Sequence, residues 1–90
     1  MTAPRFETGP LCITTNAAHS LVHDDVVTAL DRHIAGDWGE LDEEDRQSNE
    51  QALAHGGRLF SAYRDRRGTK FWIITESDRS VTTILLPEDY

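Results

Sequence analysis

Leu59-Phe60-Ser61-Ala62-Tyr63, Phe71-Trp72-Ile73-Ile74-Thr75 and Val81-Thr82-Thr83-Ile84-Leu85-Leu86 are three short runs dense in β-branched and aromatic residues, the side chains that favour extended backbone. The breaks between them, Arg66-Arg67-Gly68 and Ser77-Asp78-Arg79, are each short enough for a hairpin. They predict a three-stranded antiparallel meander that Pro87 ends. The strand period of two sets Phe71, Ile73 and Thr75 against Trp72, Ile74 and Glu76, so both faces carry apolar weight and both need cover.

Upstream, Val22, Val26, Leu30 and Ile34 recur every four residues with Val27 beside them, which describes one apolar stripe on a helix. That helix is expected to start at Asn16 or Ser20 and to end at Gly36. After the turn Gly36-Asp37-Trp38-Gly39, Asp42 or a neighbour opens a second helix that runs to His55 and stops at Gly56-Gly57. Its apolar face is thin, mainly Leu41, Ala52 and Leu53, so it is expected to lie at the surface with one edge on the domain. Leu11-Cys12-Ile13-Thr14-Thr15 reads as a further strand, with Cys12 as a small buried hydrophobe. Residues 1–10, with two prolines and a glycine, are expected to be extended or flexible and to add little to the core. The expectation is one α+β domain over residues 11–90. In it two helices pack on a small antiparallel sheet made of the C-terminal meander and the N-terminal strand.

Ninety residues hold one core and no more, and 38% hydrophobic with 28% charged residues is ordinary for a globular chain. The single cysteine excludes an internal disulfide and a multi-thiolate metal site, and it suits a reducing compartment. The opening residues Met1 to Glu7 contain no apolar run of the signal-peptide kind, and no stretch approaches the roughly 20 apolar residues of a membrane helix. A cytoplasmic protein is expected.

Sixteen acids against nine Lys and Arg give a net charge of -7, the wrong sign for a general nucleic-acid binder. The charge is unevenly placed. Asp37, Glu40, Asp42, Glu43, Glu44, Asp45 and Glu50 face only Arg46 along their stretch, while Arg58, Arg64, Arg66, Arg67 and Lys70 face only Asp65 along theirs. Acids in the first turn of a helix complement its dipole, and bases at a hairpin tip are commonly solvated. Either cluster is also a candidate binding surface.

Catalytic motifs are missing: the chain has no Gly-x-Ser-x-Gly elbow, Walker loop or dinucleotide fingerprint. His19 and His23 stand four apart, but Ser20 occupies the place of the metalloprotease glutamate and no third ligand is near. No cofactor, no metal and no enzymatic activity are expected. Trp38 reads as an anchor of its turn or as an interface hot spot. Arg58, Tyr63, Arg64, Arg66, Arg67, Lys70, Trp72 and Arg79 offer the aromatics and guanidinium groups of a base-stacking surface. Asp45 and Asn49, at the apolar edge of the second helix, are placed to satisfy buried backbone groups and fix the Gly36 to Gly39 turn.

The run His33-Ile34-Ala35-Gly36-Asp37-Trp38-Gly39-Glu40-Leu41, then Asp45, Asn49 and Ala52-Leu53, then Gly57-Arg58-Leu59-Phe60-Ser61-Ala62-Tyr63, and finally Trp72 to Tyr90 resembles a family of short bacterial proteins carried on plasmids, phages and integrated elements. The resemblance spans about residues 30 to 90. Asn16-Ala17-Ala18 departs from it, standing where a proline and a glycine would open the first helix. It implies a mobile-element setting and no catalytic residues. In that setting the acidic stretch, Asp37, Trp38, Glu40, Asp42, Glu43, Glu44 and Asp45, suggests a mimic of nucleic-acid phosphates that engages a host DNA-binding or defence protein. The alternatives are a nucleic-acid-associated accessory protein using the basic hairpin, and a self-associating module, such as a homodimer, that pairs through an exposed edge strand.

Overall fold

A computed structural model describes residues 3–90; Met1 and Thr2, part of the segment expected to be extended or flexible, lie outside the described residues. The chain runs β1 (Leu11–Ile13), α1 (Thr15–Ser20), α2 (His23–Ile34), α3 (Glu43–His55), β2 (Leu59–Arg64), β3 (Lys70–Thr75) and β4 (Thr82–Leu85), then a 3-10 turn at Pro87–Asp89. The fold is α+β, with strands in the order β1-β4-β3-β2. The meander β2-β3-β4 is antiparallel as expected, but β1 runs parallel to β4, so the sheet is mixed.

Three helices stand where two were expected, because the first breaks at Leu21. Leu21 takes extended backbone and turns its side chain into the core, and the Val22 amide donates to the buried Asp65 carboxylate at 3.1 Å. That tertiary bond outcompetes helix continuation. The stripe shifts too: α2 buries Val26, Ala29 and His33, while Val27 lies exposed and Leu30 sits at the edge of the core. At the start of α1, Thr14 accepts the Ala17 amide and donates to Asp89 at 2.6 Å, tying this helix to the C-terminal turn.

Leu59, Ser61, Tyr63, Phe71, Ile73, Thr75, Thr82 and Ile84 form the sheet face beneath the helices, each at most 4% exposed. Two apolar clusters fill that layer. One joins α1 and α2 to Tyr63, Phe71, Ile73 and Ile84; the other joins Trp38, Ala52 and Leu59 with Phe6, Leu41 and Leu53 at its margin. Phe6 stacks on Trp38 with ring centres 6.2 Å apart, so the N-terminal segment supplies an aromatic to the core. That departs from the expectation that this segment adds little to the core; residues 3–10 form no helix or strand.

The β2 edge is sealed from outside. Asn49 on α3 acts as a strand substitute: its Nδ2 donates to the Phe60 carbonyl at 2.7 Å and its Oδ1 accepts the Phe60 amide at 3.1 Å. One step along, the Trp38 carbonyl accepts the Ala62 amide and the Glu40 amide donates to the Ala62 carbonyl. Gly39 lies between them at φ 74°, where an added Cβ would sit 2.1 Å from the Ala62 oxygen. Only glycine lets the chain pass this close.

Candidate functional site

The acidic stretch is narrower as a surface than as a sequence. Asp37 pairs with Arg32 at 2.8 Å, Glu40 with Arg64 at 3.2 Å and Glu50 with Arg5 at 3.0 Å. The Arg32 guanidinium holds the Asp37 carboxyl below the usual range, and Arg5 followed by the Trp38 indole does the same for Glu50. Asp42 caps α3, accepting the Asp45 amide at 2.8 Å. Glu43, Glu44 and Asp45 remain without an ion pair among the described residues. They stand in the first turn of α3, within an unbroken exposed run from Asp42 to Ser48.

That run ends at a shallow depression along α3, bordered by Glu44, Gln47, Ser48, Gln51 and His55 and reaching Gly57 and Arg58, with a volume of about 500 Å³. Trp38 is not part of this surface. Its indole is 5% exposed and donates to Glu50 at 2.9 Å, so it anchors the turn rather than presenting a hot spot. Arg46, the only base in the stretch, holds the loop by donating to the Leu41 and Gly39 carbonyls. Asn49 satisfies buried backbone groups, though those of Phe60 rather than of the turn, whereas Asp45 is exposed.

The structure disperses the basic set. Tyr63 is 2% exposed, lies under the helices and donates its hydroxyl to the Asp37 carbonyl at 2.6 Å; burial pushes that hydroxyl up to about 12. Arg79 donates to the carbonyls of Gly57, Glu76 and Ala52, closing the end of α3. Tyr63 is thus enclosed in the fold, while Arg79 is bonded to the fold and half-exposed. Arg66 grips Asp25 through two nitrogens, Arg67 donates to the Ser20 carbonyl, and Arg64 is held by Glu40. Lys70 is exposed without an ion pair among the described residues.

Trp72 does belong to a cluster, on the sheet face away from the helices. It meets Phe60 edge-on at 5.1 Å and Tyr90 at 5.9 Å, and Arg58 donates to the Tyr90 hydroxyl at 2.7 Å while pairing with Glu76 at 3.4 Å. Sequence reasoning left out Phe60 and Tyr90. The period of two could have found Phe60, which shares a face with Trp72; nothing in the pattern signals Tyr90.

No known family, curated protein or solved structure matches the chain.

The remaining constellation lies inside. His33 is fully buried between the Ser61 and Thr75 hydroxyls, with Nδ1 2.5 Å from Ser61 Oγ and Nε2 2.9 Å from Thr75 Oγ1. Thr82 donates to the Thr8 carbonyl, so Thr75 must donate to Thr82 at 2.7 Å. Thr75 then has only a lone pair for the imidazole, which fixes the proton on Nε2 and leaves Nδ1 to accept from Ser61. A neutral ring satisfies the whole chain of bonds, and burial lowers its pKa to about 4. Ser61 and His33 have the contact of a nucleophile and its base, yet both are 0% exposed. The pair is a core network. His19 and His23 lie on α1 and α2, on either side of the Leu21 break, and no group of three metal-binding side chains occurs among the described residues. No helix among them is long and apolar enough to cross a membrane.

Proposed function

We propose that the chain is an interaction protein whose exposed acidic turn, Asp42 to Asp45, engages the basic nucleic-acid-binding surface of a partner protein. The observation that carries this is the division of the charges. Ion pairs draw Asp37, Glu40 and Glu50 back onto the fold and leave Glu43, Glu44 and Asp45 facing solvent on a helix held to the sheet by Asn49. A fixed array of carboxylates on a body of net charge -7 attracts a basic groove over about a Debye length, roughly 8 Å at physiological salt. The resemblance to short proteins of mobile elements supplies the setting, in which blocking a host DNA-binding or defence protein is useful.

Reversing the charges, with Glu43→Lys, Glu44→Lys and Asp45→Lys together, should abolish capture of that partner. These acids also complement the helix dipole, so the reversal costs about 1 to 2 kcal/mol of stability; Glu43→Gln, Glu44→Gln and Asp45→Asn serve as a milder control. Equal capture by all three proteins would end the reading.

A second reading rests on the outer sheet face, where Phe60 and Tyr90 meet Trp72 edge-on beside Arg58. Aromatic faces of this kind bind single strands. It expects single-stranded DNA binding at low salt that fades steeply as salt rises and is lost in Trp72→Ala, whereas the acidic-turn reading expects no DNA binding at all.

A further inference from the structure

The two edges of the sheet are treated in opposite ways. Asn49 and the Trp38 to Glu40 backbone close the β2 edge, but β1 lies open, with all three of its residues exposed. Its ladder to β4 shows which groups are free. The Pro10 carbonyl accepts the Thr82 amide and the Thr14 amide donates to the Ile84 carbonyl. In a parallel ladder only alternate residues face the neighbour, so Cys12 turns its amide and carbonyl to β4, while Leu11 and Ile13 aim theirs outward. Four backbone groups therefore stand unpaired along the edge.

The side chains beside that edge are apolar. Leu11 is 53% exposed, Ile13 45% and Val27 47%; Tyr90 is the other large hydrophobic with such exposure among the described residues. Leu11, Ile13, Val27 and Leu30 rim a groove of about 290 Å³ with Ala17 and Ile84 at its floor. Open strand edges with an apolar flank are templates for another strand.

We propose that the occupant is β1 of a second copy, paired antiparallel about a two-fold axis through Cys12. Self-pairing fits the register. With Cys12 facing inward, the two Cys12 residues form a non-hydrogen-bonded pair, and Leu11 of each copy lies opposite Ile13 of the other as a hydrogen-bonded pair. All four free groups of each strand are thereby satisfied. Leu11 and Ile13 point to the helix side in both copies, so each covers the other's groove, and Val27 of the two α2 helices flanks the axis. The interface is isologous, as two-fold dimers require.

Charge permits this contact despite the net -7. No charged residue occurs from Thr8 to Ala18, the acidic turn rides on α3, which packs at β2, the opposite edge of the sheet, and the exposed carboxylates of α2 near Val27 are those of Asp24 and Asp31. Dimerisation through β1 keeps the acidic turns at the two far ends of a continuous eight-stranded sheet. Each dimer then presents two acidic turns to partners.

Cys12 reports on the arrangement. A non-hydrogen-bonded antiparallel pair sets its Cα atoms about 4.5 Å apart, within disulfide range, and the thiol is exposed. Sedimentation of the purified chain across a concentration series should show reversible dimers. Diamide, taking up the two thiol hydrogens as one disulfide forms, should trap them as covalent dimers in wild type. Ile13→Lys should sediment as a folded monomer, with wild-type circular dichroism and little crosslinking, and Cys12→Ser should dimerise without crosslinking. Monomers throughout the wild-type series overturn the proposal. So does a dimer that survives Ile13→Lys or that forms no Cys12 disulfide, since another surface would then hold it.

Discussion

His33 shows how one residue couples the core to pH. Its folded pKa of about 4 lies below the ordinary 6.5, so between those values the unfolded chain binds the proton that the folded chain refuses. Stability from this group is full above pH 6.5 and is lost as pH falls towards 4, by about 3 kcal/mol at pH 4. Chemical denaturation at pH 7.5, 5.5 and 4 should show that decline, and in His33→Gln the part due to this ring should vanish. An unchanged slope in the variant would contradict the buried neutral imidazole. The sequence did not reveal this role, because a histidine on a helix shows no sign of its partners until strands β2, β3 and β4 bring Ser61, Thr75 and Thr82 to it. The partners of Arg79 were hidden for a similar reason: a base in a turn gives no local sign of the carbonyls it will meet. Its carbonyl partners instead make it a cap, and Arg79→Met should cost about 2 kcal/mol in a thermal melt while leaving any nucleic-acid affinity unchanged.

At the scale of elements, the meander and α3 were legible. Alternating β-branched runs, short polar breaks, an Asp42 cap and a Gly56-Gly57 stop are local signals, and the structure follows them to within a residue or two. The break between α1 and α2 was not, since it depends on Asp65, a residue 43 positions from Val22. The same holds for β1: its composition suggested a strand, but its parallel pairing with β4, about seventy residues away, leaves no local sign. Cys12 is accordingly solvent-facing rather than a core residue. Sealing of the β2 edge yields two predictions. Gly39→Ala should destabilise by about 3 kcal/mol or more, since its Cβ meets the Ala62 oxygen at a positive φ. Asn49→Ala should cost about 2 to 4 kcal/mol by orphaning the Phe60 amide and carbonyl. Thermal denaturation checks both, and near-neutral results would contradict the role given to this edge.

Across the whole molecule, charge and edge geometry act together. The sequence showed the acidic and basic clusters but not their partners; Arg5, Arg32 and Arg64 pair with carboxylates far from them in sequence or set in turns. What remains is a compact acidic turn on α3, an aromatic outer sheet face, and an open β1 edge on the side away from α3. In the proposed function the acidic turn occupies a partner's surface built for nucleic acid. The measurement that tests it most directly is capture from nuclease-treated bacterial lysate on the immobilised protein at low salt, followed by elution with short duplex DNA. The expected capture is a DNA-binding protein that DNA releases and that the Glu43→Lys, Glu44→Lys, Asp45→Lys protein does not retain. The same proteins held by wild type and variant, unmoved by DNA, would contradict it.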